Sequence, residues 1–174
     1  KNIRFVAMTD FGPDLDSIMT AFPSPDLDNT LPMVLKNKKQ LYIAESEKYA
    51  HVTYFMNGGY ADHVAGEIRM KIASKNVLSY SDKPEMSVQE VTTEVIRYLD
   101  KMDFICVNFA NADMVGHSGN FKAGKKAVLA VDQATDKVVQ SVLKCNGQIL
   151  IIADHGNAEE MINLKTGEIM TEHT

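Results

Sequence analysis

Two short clusters hold most of the metal-type side chains in this sequence. One reads Asn111-Ala112-Asp113-Met114-Val115-Gly116-His117-Ser118-Gly119 and the other Asp154-His155-Gly156-Asn157. Each supplies one carboxylate and one imidazole, and His173 follows the second cluster about one hairpin later. Carboxylate oxygen combined with imidazole nitrogen suits Mn²⁺ or Zn²⁺, whereas all-oxygen sets suit Mg²⁺ or Ca²⁺. A pair of such clusters points to a two-metal site, which clamps the attacking and leaving oxygens of a phosphoryl or hydrolytic displacement. Singly, each has a plainer explanation. An Asp-His pair at a strand end is commonly a surface or capping pair, Asp-x-x-x-His recurs by chance, and the glycines serve turns. Three of the five histidines fall in these settings, among glycines and small residues, and that coincidence favours the metal. His51 and His63 have no such spacing and are read as solvent-facing or structural.

Each cluster follows an apolar run, Phe104-Ile105-Cys106-Val107 in one case and Ile149-Leu150-Ile151-Ile152 in the other. Nearly unbroken runs of this kind suit strands covered on both faces. Open α/β sheets bind ligands just beyond the carboxyl ends of their strands, so two such strands deliver both clusters to one crevice. Between the runs, Ala123, Ala127, Val131, Ala134, Val138 and Val142 trace one helix face, read as a core stripe. Upstream, Ile3–Met8 reads as a strand, followed by a turn-rich stretch through Pro13, Pro23 and Pro25. Leu31–Lys38 reads as a helix capped by Asn29 or Thr30, with Pro32 in its first turn. Leu41–Ala44 reads as a strand, Glu47–Asn57 as a helix ended by Gly58-Gly59, and Glu67–Ala73 as a strand. Ser87-Val88-Gln89-Glu90 has the form of a capping box opening a helix whose stripe is Val91, Val95 and Leu99. The alternation predicts an α/β fold, a largely parallel sheet with helices on both faces.

The bulk numbers narrow the partners. With 174 residues, 45% hydrophobic and 24% charged, the sequence is that of an ordinary globular domain or a large piece of one. A net charge of −5 leaves no basic excess for a nucleic acid or an anionic membrane. It does not exclude a small phosphorylated substrate, because a bound divalent cation dominates the local field. No apolar run approaches the roughly 18 residues of a membrane span, and no signal peptide opens the chain. Cys106 and Cys145 are in no metal-type pairing and read as buried or bystander thiols, which suits a reducing cytoplasm. The chain opens at Lys1, drops at once into a strand-like run and stops at His173-Thr174, so it is read as a fragment.

Four stretches together resemble the cofactor-independent phosphoglycerate mutases: Ala44–Thr53 leading to Asn57-Gly58-Gly59, Lys83–Ser87, Asn108–Gly119 and Ala153–Glu159. They follow the family's order with similar gaps and cover essentially the whole chain, as the C-terminal part of such an enzyme. The resemblance implies an alkaline-phosphatase-like domain, present here in part, with residues 1–174 as the C-terminal portion of its metal-binding domain. It implies two divalent ions, Mn²⁺ with Zn²⁺ and Co²⁺ as alternatives, and no bisphosphoglycerate. The implied reaction interconverts 3-phosphoglycerate and 2-phosphoglycerate through a transiently phosphorylated serine. By motif, Asp113, His117 and His173 would hold one metal, and Asp154 and His155 would contribute to the other. Lys48 would neutralise the transferred phosphoryl group. The family's nucleophilic serine, a further metal-binding aspartate and the arginines of a substrate domain match nothing in this sequence. The partners are then a small phosphoglycerate and the remainder of the enzyme's own chain, and this piece alone is expected to be inactive. Other readings are a phosphatase, phosphodiesterase or phosphopentomutase of the same superfamily, or a non-catalytic metal-binding module.

Overall fold

A computed structural model describes residues 3–9, 18–23, 25 and 27–174. At its centre β3 (Gln40–Glu45) lies between β4 (Ile68–Ile72) and β5 (Phe104–Val107), and both pairings are parallel. All six residues of β3 are buried. Alternation sends Leu41 and Ile43 to one face, against Val91, Val95 and Val138, and Tyr42 and Ala44 to the other, against Val52. The apolar run therefore reflects a strand buried on both sides, as a parallel sheet requires.

Parallel neighbours need crossovers, and helices supply them. From β3 the chain passes through a tight turn at Ser46–Lys48 into α2 (Tyr49–Val52), which covers the Tyr42 face. Between β4 and β5 runs α3 (Val88–Tyr98), whose buried Val88, Val91, Thr92 and Val95 are spaced as one helix face. After β5 come α4 (Asn111–Gly116) and α5 (Phe121–Lys144), the latter opened by Asn120, whose side chain accepts from the Ala123 amide at 3.1 Å. The expected stripe on α5 is largely real: Ala123, Ala127, Ala134 and Val138 are buried, with Val131 and Val142 partly so. Near the start, β1 (Val6–Ala7) pairs in parallel with β2 (Met19–Thr20), and α1 (Leu31–Val34) precedes β3.

Several local expectations are corrected by tertiary partners. The capping box does not form. Instead the Ser87 hydroxyl donates to the Ala73 carbonyl at 2.8 Å, the Ser87 amide donates to Glu45 Oε1 at 2.9 Å, and Glu90 pairs with Lys75. A buried carboxylate on the central strand outcompeted the helix's own side chains for that amide. The helix expected over Glu47–Asn57 is only one turn of α2, because Thr53 turns its hydroxyl onto the Tyr49 carbonyl at 2.7 Å and leaves helical geometry. Its chain then turns through Gly58 and Gly59, both at positive φ; a Cβ on Gly58 would also meet Leu27 and Thr30 at 2.8 Å. The helix over Leu31–Lys38 likewise closes after Val34, and Thr30 precedes it without a side-chain cap. The strand expected over Ile3–Met8 is confined to Val6–Ala7, and the stretch around Pro13 lies outside the described residues.

The largest correction concerns Ile149–Ile152. This run forms no ladder among the described residues, and all four side chains are exposed, Leu150 at 84% and Ile152 at 80%. Strand formation needs a neighbour's backbone as well as an apolar sequence, and no described strand pairs with this run.

Candidate metal centre

The sheet ends where β5 delivers the chain to α4. Asn111 opens that helix fully buried and ties it down by donating to the Pro84 carbonyl at 2.9 Å. Asp113 and His117 stand four residues apart, on one face of α4 and its last turn. Their spacing is thus a helical one, and it sets His117 Nε2 3.1 Å from Asp113 Oδ1.

His173 arrives by a reversal of the chain. A bridge between Ile162 and Ile169, with the Met170 amide donating to the Met161 carbonyl at 2.9 Å, folds the last residues back over α4. The returning segment is fastened at the Thr174 amide, which donates to the Gly156 carbonyl at 3.1 Å, and at Thr171, whose carbonyl lies 2.6 Å from His117 Nδ1. His173 Nε2 then sits 3.0 Å from Asp113 Oδ1 and 3.1 Å from His117 Nε2. Asp113, His117 and His173 are the one such group of ligand-type side chains among the described residues.

The protons on this triangle can be assigned. A carbonyl only accepts, so His117 Nδ1 carries the hydrogen and, in the neutral ring, Nε2 presents a lone pair inward. That lone pair faces the anionic Asp113 oxygen, and either a hydrogen on His173 Nε2 or a metal ion among the three atoms relieves the opposition. Ligands about 2.1 Å from one ion and at right angles to each other lie about 3.0 Å apart, which is the size of this triangle. The donor set and its spacing fit a divalent ion.

Lys48 completes the electrostatics. Its Nζ lies 2.5 Å from Asp113 Oδ2, and both side chains are largely buried, at 9% and 14% exposure. The 46–48 turn at the end of β3 places Lys48 there, beside the end of β5, which is why two segments 65 residues apart in number meet. Burial works against the Asp113 carboxylate, but the Lys48 hydrogen bond and charge, with help from Asn157 and His117, hold its pKa below the usual carboxylate value.

Asp154 and His155 reach the same region even though the run before them is not a strand. The His155 ring stacks on His173 with centroids 3.8 Å apart. Asp154 stays exposed beside it, its Oδ2 3.7 Å from His155 Nε2. These two do not complete a second group of three ligands among the described residues. His51, read from sequence as unconnected, lies in the field of the centre. Burial lowers its pKa most, Lys48 lowers it further, and Asp154 and Asp113 act in the opposite sense. Its ring also packs edge-on against Phe55 at 5.5 Å. His63 is structural, with Nδ1 2.6 Å from the Glu67 carbonyl.

Two contributors carried no metal-type signal in the sequence. Asn157 is buried and donates from Nδ2 to Asp113 Oδ1 at 3.0 Å. Glu159 receives the Thr174 hydroxyl on one oxygen and the Asn157 amide, at 2.8 Å, on the other. Those bonds hold its pKa low and fasten the last residue to the 158–160 turn. Ser118, beside His117, is spent locally, donating to the Val115 carbonyl at 2.6 Å.

The model of the Metalloenzyme superfamily matches residues 18–174, which contain every residue of this centre. The chain belongs to that superfamily. Relatives of this metalloenzyme chain include the 2,3-bisphosphoglycerate-independent phosphoglycerate mutase of Clostridium botulinum, 49% identical over 99% of the chain and 35% of the relative. Mutase 1 of Methanosarcina acetivorans is also 49% identical, over 99% of the chain and 34% of the relative. Among solved structures, a Leishmania mexicana phosphoglycerate mutase determined at low cobalt concentration superposes with a TM-score of 0.89 at 30% identity, over 98% of this chain and 34% of that one. The fold is therefore the alkaline-phosphatase-like α/β fold, present in part. The chain spans about a third of the length of the curated relatives it matches.

Proposed function

We propose that this chain is the C-terminal, metal-binding portion of a cofactor-independent phosphoglycerate mutase, which interconverts 3-phosphoglycerate and 2-phosphoglycerate through a phosphoserine and without bisphosphoglycerate. The observation that carries this reading is the Asp113–His117–His173 triangle with the Lys48 ammonium on the same carboxylate. It occurs in a chain that is 49% identical to enzymes of that name. In this reading Asp113, His117 and His173 hold one divalent ion, and Asp154 and His155 supply part of the shell of a second. Mixed oxygen and nitrogen donors favour Mn²⁺, with Zn²⁺ and Co²⁺ as alternatives.

The ions, when bound, position the phosphoryl group and neutralise its growing charge. The chain's own residues do the rest of what this portion contributes. Lys48, held against Asp113, brings a positive charge to the phosphoryl oxygens. The hydrogen bond from His117 Nδ1 to Thr171 keeps the ring's other nitrogen directed inward. The acceptor serine, a further aspartate of the second site and the substrate-binding arginines belong in this reading to the rest of the polypeptide. Ser118 is no substitute, since its hydroxyl is bonded within its own turn. Sparse cysteine usage and a reaction of glycolysis support a cytoplasmic enzyme in this reading. No described helix is long and apolar enough to cross a membrane.

The test is to supply the complete polypeptide with 3-phosphoglycerate and Mn²⁺, omit bisphosphoglycerate, and follow both 2-phosphoglycerate and inorganic phosphate. Formation of 2-phosphoglycerate with phosphate conserved supports the mutase. Release of inorganic phosphate without isomerisation would replace it with a hydrolase of the same superfamily.

A further inference from the structure

The carboxamide of Asn157 joins the two halves of the centre. Its backbone is pinned to the 158–160 turn, the amide donating to Glu159 Oε2 at 2.8 Å and the carbonyl accepting from the Glu160 amide at 3.1 Å. Its side chain, 4% exposed, reaches α4, where Nδ2 donates to Asp113 Oδ1 at 3.0 Å and approaches the Asp113 carbonyl at 3.4 Å. The flipped orientation is excluded chemically. It would set the amide oxygen against a carboxylate oxygen, acceptor against acceptor. The Oδ1 that results is buried and has no hydrogen-bond partner among the described residues.

That oxygen lies directly over Gly116. A Cβ on residue 116 would come within 2.1 Å of Asn157 Oδ1 and 2.7 Å of its Cγ. Asp113 and Gly116 are three apart on α4, on the face that Asn157 covers. A side chain at 116 therefore expels the carboxamide from Asp113. We infer that Asn157 is the positioning residue of Asp113, fixing the Oδ1 that meets His117 and His173, and that Gly116 is the residue that admits it. The inference rests on the metal reading above. It also ties the loop carrying Asp154 and His155 to the helix carrying Asp113 and His117, so that the ligand segments move as one unit.

The complete polypeptide is titrated with Mn²⁺ by calorimetry, alongside Asn157→Leu, Gly116→Ala, their double variant and His117→Ala as control. Leucine keeps the size of asparagine and loses the donor, so a residue that only fills space tolerates it. Expected is a weakening of Mn²⁺ binding by roughly ten- to a hundredfold in Asn157→Leu, the usual effect of removing a ligand's hydrogen-bond partner. Gly116→Ala should match it and the double variant should lose no more than either single change, since both break one contact. Asn157→Leu binding within about twofold of the parent, while His117→Ala has lost binding, overturns the inference and leaves the metal centre standing. Additive losses in the double variant would sever Gly116 from the argument. Unchanged binding in His117→Ala would instead overturn the metal centre itself. Should leucine prevent folding, Gly116→Ala, which leaves Asn157 in the chain and displaces only its carboxamide, gives the reading instead.

Discussion

Lys48 and Asp113 form an ion pair with little water around it, and this makes their roles separable. If Asp113 holds a divalent ion as proposed, an ammonium 2.5 Å from it competes with that ion for the same charge. Lys48→Met should therefore bind Mn²⁺ at least as tightly as the parent in calorimetry. The same variant should lose about a hundredfold or more in mutase turnover, the usual effect of deleting a group that stabilises transition-state charge. Weaker metal binding with normal turnover would show that Lys48 only braces the ligand. His51 lies in the same field, with its pKa lowered chiefly by burial and further by Lys48.

At the scale of elements, two buried carboxylates hold the loops around the centre and behave in opposite ways. Glu67, at the mouth of β4, is fully buried and receives Arg69, Asn57 and the Ala65 amide. Arg69 in turn donates to the Ala61 and Asp62 carbonyls at 2.6 Å, closing the loop that follows α2. Removing one partner of such a pair leaves the other charge buried, so Glu67→Ala should cost about 3–5 kcal/mol in denaturant unfolding. Glu45, at the end of β3, has a pKa raised chiefly by burial, despite the Ser87 amide on one oxygen. A carboxyl whose folded pKa exceeds its unfolded value holds its proton longer in the folded state. Its contribution is then favourable below the unfolded value and is lost as pH rises through the folded one. Glu45→Gln keeps the acceptor for Ser87 and removes the charge. Thermal melts from pH 4 to pH 7 should show the variant gaining on the parent as pH rises, and a constant gap would refute the burial argument.

At the scale of the whole molecule, the exposed run Ile149–Ile152 is the feature that a self-contained fold would not tolerate. Four adjacent aliphatic side chains turned to solvent belong against another layer. The proposal that further polypeptide completes this enzyme supplies one. The purified 174-residue chain should bind a hydrophobic dye and show no mutase turnover, while the complete polypeptide should turn over and bind no dye. Leu150→Lys sharpens the contrast. It should reduce dye binding by the 174-residue chain, yet destabilise the complete polypeptide by about 2 kcal/mol or more, the worth of one buried leucine. Equal stability of parent and variant in the complete polypeptide would mean that the run stays exposed there too.

How much of this was legible in advance follows from the range of the forces involved. The sequence by itself determined the parallel α/β class, because unbroken apolar runs and helical stripes record burial on two faces or one. Asp113 and His117 were legible as a cluster beyond a strand end, but the helical turn that brings their side chains together appeared only in the structure. The resemblance pointed to Lys48 and His173, but their approach to Asp113 was decided by tertiary structure, through the end of β3 and the Ile162–Ile169 reversal. Asn157 was invisible because a carboxamide signals nothing until its neighbour is known. The capping box at Ser87 and the strand at 149–152 misled for one shared reason. Local pattern states what a segment can pair with, and competition among partners distant in sequence decides what it does pair with: Glu45 took the Ser87 amide, and no described strand came to Ile149–Ile152.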